Sequence, residues 1–282
     1  MTEAVTVEAP LRDATFAGNR VAARIALSVT ADSGQSRRAR VHEAGSLRVR
    51  FPNTEQSAQR EAVIINTAGG MAGGDRFDIA VDVGANAHLC LTSAAAEKVY
   101  RSLGQDTQVS VKLVVGPRAA LAWLPQETIL FDQARLRRTI DLDLTHSASV
   151  LLAEGIVFGR AAMGEVVACG HLFDRWRVRV DGDLVFAETT RLDGEIVHRL
   201  SEAAVAAEGA AVASVLKFPG DEGAAVEIRA LQASFIGDVG VSAWNGLALA
   251  RLVAPNGAAL RHDLLSVLTI WSAGNLPRLW LN

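Results

Sequence analysis

The chain has 282 residues, half of them hydrophobic and 21% charged, with a formal net charge of -3. That length supports a sizeable core in one or two domains. A near-neutral balance without a polybasic run excludes the electrostatic footprint of a nucleic-acid or anionic-lipid binder.

The opening segment, MTEAVTVEAPLRDATF, carries Glu and Asp where a signal peptide would be basic and then apolar. No uncharged apolar run reaches the roughly 18 residues of a membrane span, so a cytoplasmic location is expected. Period-two alternation then recurs along the chain. Val21, Ala23, Ile25, Leu27 and Val29 share one face of an extended segment, as do Leu47, Val49 and Phe51. Val109 to Val115, Ile140 to Leu144 and Trp176 to Val180 repeat the pattern of half-buried strands. Asp181-Gly182-Asp183 reads as a hairpin turn into Leu184–Ala187.

A weak internal repeat runs through FDIAVDVGANAHLCLTS, QVSVKLVVGPRAALAWLPQ and RTIDLDLTHSASVLLAEG. Each copy is an alternating strand, a tight polar turn and a second apolar strand. Such a period predicts stacked layers, as in a β-solenoid or a rolled sandwich; a meander of hairpins is the alternative. Helical signals come late. Glu195 to Glu208 is Ala-rich, and Asp263 caps or opens a second helix with Leu264, Leu265, Leu268 and Trp271 on one face and Gly274 past its end. Between them AVASVLKF and AVEIRALQASFIGDVG have strand character. The predicted fold is mainly β, in many-stranded layered sheets with about two helices in the C-terminal third, as a single domain over 1–282.

The glycine cluster TAGGMAGGDRF (67–77) lacks the GxxxxGK[ST] of a phosphate loop and runs into a strand, so it reads as a turn needing positive φ. Asp75 and Arg76 at its end pair with each other or present charge. WLPQETILFD (123–132) places Gln126, Glu127 and Asp132 beside apolar residues. Glu127 and Asp132 are candidates for a general acid and base, but no nucleophile is near, and as structural residues they cap turns or pair with Arg135, Arg137 or Arg138. His88 and Cys90 share a strand face, which allows a two-ligand metal contact, although core and rim positions explain them as well. The two cysteines form no disulfide framework and no CxxC.

At these motifs the sequence resembles the urease accessory protein D family, called H in some systems. WLPQETILFD matches that family's central signature. GGMAGGDRF (69–77), EKVYRS (97–102), GIVFGRAAMGE (155–165), RLDG (191–194) and the terminal LPRLW (276–280) are similar to its other landmarks in the same order. Thr67-Ala68 stand where two prolines are usual, and Ser93-Ala94-Ala95-Ala96 where the family has a Thr-Thr-Pro-Gly-like stretch. The resemblance implies a β-rich protein with no catalysis and no cofactor of its own, nickel being only in transit. It implies a complex with accessory protein F and the GTPase accessory protein G that docks on apo-urease, with accessory protein E delivering the nickel. It further implies a wet path for the metal, along which Asp75, Glu127, Asp132 and Glu165 are the candidate carboxylates. The rival readings are a hydrolase using Glu127 and Asp132, and a β-solenoid binding module with an exposed aromatic stripe.

Overall fold

A computed structural model describes residues 20–52 and 59–281. The acidic opening segment lies outside the described residues. In chain order the strands are β1 (Ala22–Asp32), β2 (Gln35–Ala44), β3 (Leu47–Arg50), β4 (Arg60–Asn66), β5 (Arg76–Val83), β6 (His88–Ser93), β7 (Glu97–Val99), β8 (Thr107–Val115) and β9 (Ala120–Leu124). There follow β10 (Thr128–Leu130), β11 (Arg135–Leu144), β12 (Ser149–Phe158), β13 (Gly170–Val180), β14 (Asp183–Gly194), β15 (Ala211–Phe218), β16 (Asp238–Trp244) and β17 (Leu247–Ala254). The helices are α1 (Ile196–Ser201), α2 (Glu222–Arg229) and α3 (Gly257–Trp271). No helix among the described residues is long and apolar enough to cross a membrane.

The strands form two sheets, ordered β14-β13-β11-β8-β5-β1-β2 and β16-β17-β15-β12-β9-β6-β4-β3. From β4 to β13 the chain alternates between them. Within the first sheet β5, β8, β11 and β13 are parallel neighbours; within the second, β4, β6, β9 and β12 are. The two strands of each sequence repeat therefore lie in opposite sheets. A hairpin meander would have paired them antiparallel in one sheet, so the repeat is a coil of a solenoid-like stack. Its turns superpose chemically: the amides of Ala87, Ala119 and Ala148 donate to the carbonyls of Gly84, Gly116 and Thr145 at 3.1, 3.2 and 3.0 Å. Antiparallel pairs flank the coils, β1–β2 and β13–β14 in one sheet and β12–β15–β17–β16 in the other. Asp181 and Gly182 both take positive φ, 49° and 94°, the twist-compatible geometry of a two-residue hairpin loop.

The predicted alternation fills the space between the sheets. Ile25, Leu27, Val81, Val83, Leu113, Ile140, Leu142 and Trp176 face Leu89, Leu91, Leu121, Trp123 and Leu152 in one cluster. A second apolar layer lies where α2 and α3 cover the outer face of the second sheet, with Ile228, Leu260, Leu264, Val267 and Leu268 against Val215, Ala250 and Leu252.

Three readings of the late segment change. The helix over Glu195–Glu208 stops at Ser201: Ile196 and Leu200 are buried one turn apart, but the next buried residue, Ala206, falls off that face. Positive φ at Ala207 and Glu208 then reverses the chain into β15. Much of AVEIRALQASFIGDVG is helix and turn, with strand resuming only at Asp238; Ala224, Ala225 and Ile228 are buried at helical spacing, and Asp221 caps α2 by accepting from the Ala224 amide at 3.0 Å. Asn256, not Asp263, caps α3, accepting from Ala259 at 2.9 Å. Asp263 sits mid-helix, 1% exposed, and accepts from the amides of Ile236 and Gly237 at 2.9 and 2.7 Å, so it satisfies the loop ahead of β16 instead. Gly274 does end the helix, its amide reaching the Thr269 carbonyl at φ 79°.

Candidate functional site

Each coil turns a corner between the sheets, and there the chain makes a third, short ladder. Met71 bridges Val99, Val99 pairs with Leu130, and Leu130 pairs with Phe158, all parallel. Those residues belong to GGMAGGDRF, EKVYRS, WLPQETILFD and GIVFGRAAMGE. Four motifs scattered in sequence are thus the same corner of successive coils. Gly70 is required there by contact as well as by its φ of 153°: a Cβ would stand 2.5 Å from the Tyr100 ring. The Tyr100 hydroxyl donates to the Gly69 carbonyl at 2.8 Å, and its ring meets Phe131 edge-on at 5.2 Å. Arg160 stacks on the other aromatic, its guanidinium 4.1 Å from the Phe131 centroid.

The four candidate carboxylates occupy separate places on this corner, and all are engaged. Asp75 is buried and accepts from the Val21 and Ala72 amides at 2.9 and 2.8 Å; it does not pair with Arg76, whose guanidinium reaches Gln108. Glu127 faces Arg261 of α3 at 3.3 Å, and Gln126 accepts from the same guanidinium at 2.7 Å. That arginine also donates to the Leu279 and Trp280 carbonyls, while the Trp280 indole donates to the Leu124 carbonyl, so the central signature clamps the LPRLW segment. Asp132 accepts from the Cys169 backbone amide at 3.2 Å and from the Gln133 side-chain Nε2 at 3.1 Å. Glu165 holds Arg160 through two side-chain bonds of 2.7 and 3.0 Å and accepts from the Asp132 amide at 3.3 Å. The Arg160 bond, before anything else, holds the Glu165 carboxyl below the usual carboxylate range. Only Asp132 and Glu165 are brought together, through a backbone amide. Glu127 and Asp132 engage different neighbours, and neither pairs with Arg135, Arg137 or Arg138.

Inside the corner, between the sheets, lies a cavity of about 70 Å³ bordered by Asn66, Ser93, Glu97, Gln126, Arg138 and Glu154 among apolar residues. The lining is mostly apolar with these few polar groups set into it, and the volume has room for a few waters. None of the four carboxylates borders it. Glu97 takes one hydrogen bond, from Asn66 to Oε2 at 3.1 Å; burial pushes its carboxyl up, against the Asn66 bond and Lys98. Glu154 is more heavily engaged. Arg138 of β11 spans the two layers, bonding Asp174 of β13 at 3.0 and 2.6 Å and Glu154 of β12, which also accepts from the Trp123 indole at 2.8 Å. These side chains are 5% to 9% exposed. Burial pushes Glu154 up despite Arg138; burial disfavours the Arg138 cation too, but its two carboxylates outweigh that and hold its pKa above the ordinary value.

Sequence reasoning offered Arg138 only as a partner for Glu127 or Asp132, and did not single out Glu154, Asp174 or Glu97. The signal for the first three was present: each takes an inward slot in an alternating strand, as in Leu136-x-Arg138-x-Ile140. His88 and Cys90 do share a strand face, with His88 half-buried and Cys90 buried. Burial, then Glu61, pushes the Cys90 thiol up to about 12. Among the described residues no group of three or more His, Cys, Asp or Glu is placed to hold a metal ion. The binding-module reading expected an exposed aromatic stripe; Trp123, Trp176, Trp271 and Trp280 are instead buried, while Trp244 and Tyr100 are each 37% exposed.

A family model described as UreD urease accessory protein matches residues 21–281. A protein of Rhodopseudomonas palustris strain CGA009 named urease accessory protein UreD is 53% identical over 268 residues, covering 95% of this chain and 96% of its own. A relative of the same name from Bradyrhizobium diazoefficiens is 51% identical over 267 residues, with 95% and 96% covered.

Proposed function

The chain belongs to the UreD urease accessory protein family, and from that premise we propose that it is a non-catalytic scaffold for nickel insertion into apo-urease. In this reading it works in the cytoplasm, in a complex with accessory proteins F and G, with nickel supplied by accessory protein E as cargo. The observation that carries the reading is the signature corner itself: the family's motifs meet there around a small, mostly apolar cavity into which Asn66, Glu97, Gln126 and Glu154 set polar groups. A borderline divalent ion in transit needs oxygen ligands that hold it weakly. Asp75, Glu127, Asp132 and Glu165 are the proposed contacts, joined by Glu97, which borders the cavity and keeps Oε1 uncommitted among the described residues.

The test is co-expression of urease and its other accessory proteins with this chain carrying Asp75→Ala, Glu127→Ala, Asp132→Ala, Glu165→Ala or Glu97→Gln. Thermal midpoint of the variant, recovery of the complex and nickel content of the urease are measured together. At least one variant is expected to lower nickel loading while keeping its midpoint and its partners. If every variant that impairs loading is also destabilised or fails to assemble, these carboxylates belong to the scaffold alone. If urease matures equally well without the chain, the whole reading falls.

A further inference from the structure

Away from the corner, on the outer face of the second sheet where α3 ends, lies a cleft of about 360 Å³. Among the described residues its lining contains Lys217 and His88 and no carboxylate, in a chain whose acidic residues outnumber its Lys and Arg by 31 to 28. Lys217, on β15, is half-buried, and its ammonium makes no ion pair or hydrogen bond with a described residue. Charged side chains are seldom drawn out of water without a partner. A second polar group in the same wall is also unused: Ser272 Oγ is shut off from solvent and has no hydrogen-bond partner. Asn275 spends one amide hydrogen on the Ser272 carbonyl at 3.1 Å and keeps the other. Gln59 and Ser149 add polar edges, and the rest of the recess is apolar, with Ala122 and Trp271 among its lining; the Trp271 indole is turned away, donating to the Ala224 carbonyl.

The negative end of a helix opposes an anion, yet here it is largely neutralised. The Leu268, Thr269 and Ile270 carbonyls accept from Ser272, Gly274 and Ala273. We propose that this cleft binds a carboxylate carried on an apolar body. Lys217 supplies the charge, the His88 ring and the second Asn275 amide hydrogen supply hydrogen bonds, and the apolar part lies against Trp271 and Ala122. The same chemistry describes a free small carboxylic acid and the terminal carboxylate of a partner chain ending in an apolar residue.

Isothermal titration of the full chain with hexanoate, and separately with a short peptide ending in Leu as the free acid or as the amide, distinguishes the two. Saturable binding of hexanoate assigns a free acid, and binding of the acid peptide but not of its amide assigns a chain terminus. In either case Lys217→Gln should weaken binding roughly tenfold or more, about 1.4 kcal/mol, and Asn275→Ala should weaken it less. Lys112→Gln, in the first sheet, should leave it unchanged. The inference is overturned if neither probe binds saturably. It is overturned equally if Lys217→Gln lowers the thermal midpoint but binds as the parent does, which would make the lysine a partner of the helix end only.

Discussion

Replacing Arg138 by Leu removes the one cation that two buried carboxylates share. Removing one partner of a buried ion pair costs about 3–5 kcal/mol, because the other charge is left unpaired. Here two are left, Glu154 and Asp174, each with side-chain exposure under 10%, so the upper half of that range is expected at neutral pH. The cost also depends on pH. Glu154 is already pushed up from its ordinary value of 4.5, chiefly by burial. A carboxyl whose folded pKa is raised contributes stability that is fully present below the unfolded pKa and lost as pH rises through the folded one. Loss of Arg138 raises it further, so Arg138→Leu should be most destabilising at neutral pH and recover as the pH falls toward the unfolded carboxyl value. Urea midpoints at several pH values measure this. The triple replacement Arg138→Leu, Glu154→Leu, Asp174→Leu should regain most of the loss, since apolar substitutes for a buried ionic cluster are often neutral or better. A single-variant cost below about 1 kcal/mol, or a triple variant weaker than the single one, would refute the reasoning.

Asp263→Ala leaves the Ile236 and Gly237 amides without their acceptor and should cost about 3 kcal/mol, with faster hydrogen exchange at those two amides; unchanged exchange there would count against the latch. Glu165→Gln should lower the thermal midpoint at neutral pH, and its deficit should shrink at acid pH. Its carboxyl is held low, chiefly by Arg160, so its contribution is present above the unfolded pKa and lost as pH falls through the folded one; a deficit undiminished at pH values below its depressed pKa would contradict the assignment.

The strands were legible because alternation has a period of two and one face of each sheet is apolar. The repeat was legible for the same reason, since each coil carries an alternating strand, a polar turn and a buried alanine. Whether its paired strands lay side by side or in opposite layers was not, because the pattern of one strand does not name its neighbour. Asp263 misled because an acid before an apolar run looks like a cap, while its bonding partners, Ile236 and Gly237, are distant in sequence. The ladder Met71–Val99–Leu130–Phe158 was hidden by its length: one to three residues per rung give no periodicity to read.

The geometry of the corner also sorts the acids by the work they are free to do. Asp75 meets two backbone amides, Asp132 a backbone amide and a side-chain amide, Glu127 and Glu165 an arginine each. A cation drawn to any of these would compete with bonds that hold the turn, the C-terminal clamp or the Arg160 stack in place, and hydrogen bonds to charged groups contribute about 1.5–3 kcal/mol each. Glu97 differs. It borders the cavity, has one oxygen uncommitted among the described residues, and already bears a desolvation cost that a passing cation would relieve. If nickel meets a carboxylate inside this chain, Glu97→Gln should therefore reduce loading with the least loss of stability of the five variants, because the amide keeps the side chain's shape and can still bond Asn66. A larger loss of stability in Glu97→Gln than in Asp75→Ala would reverse that order and return the cavity wall to a purely structural role.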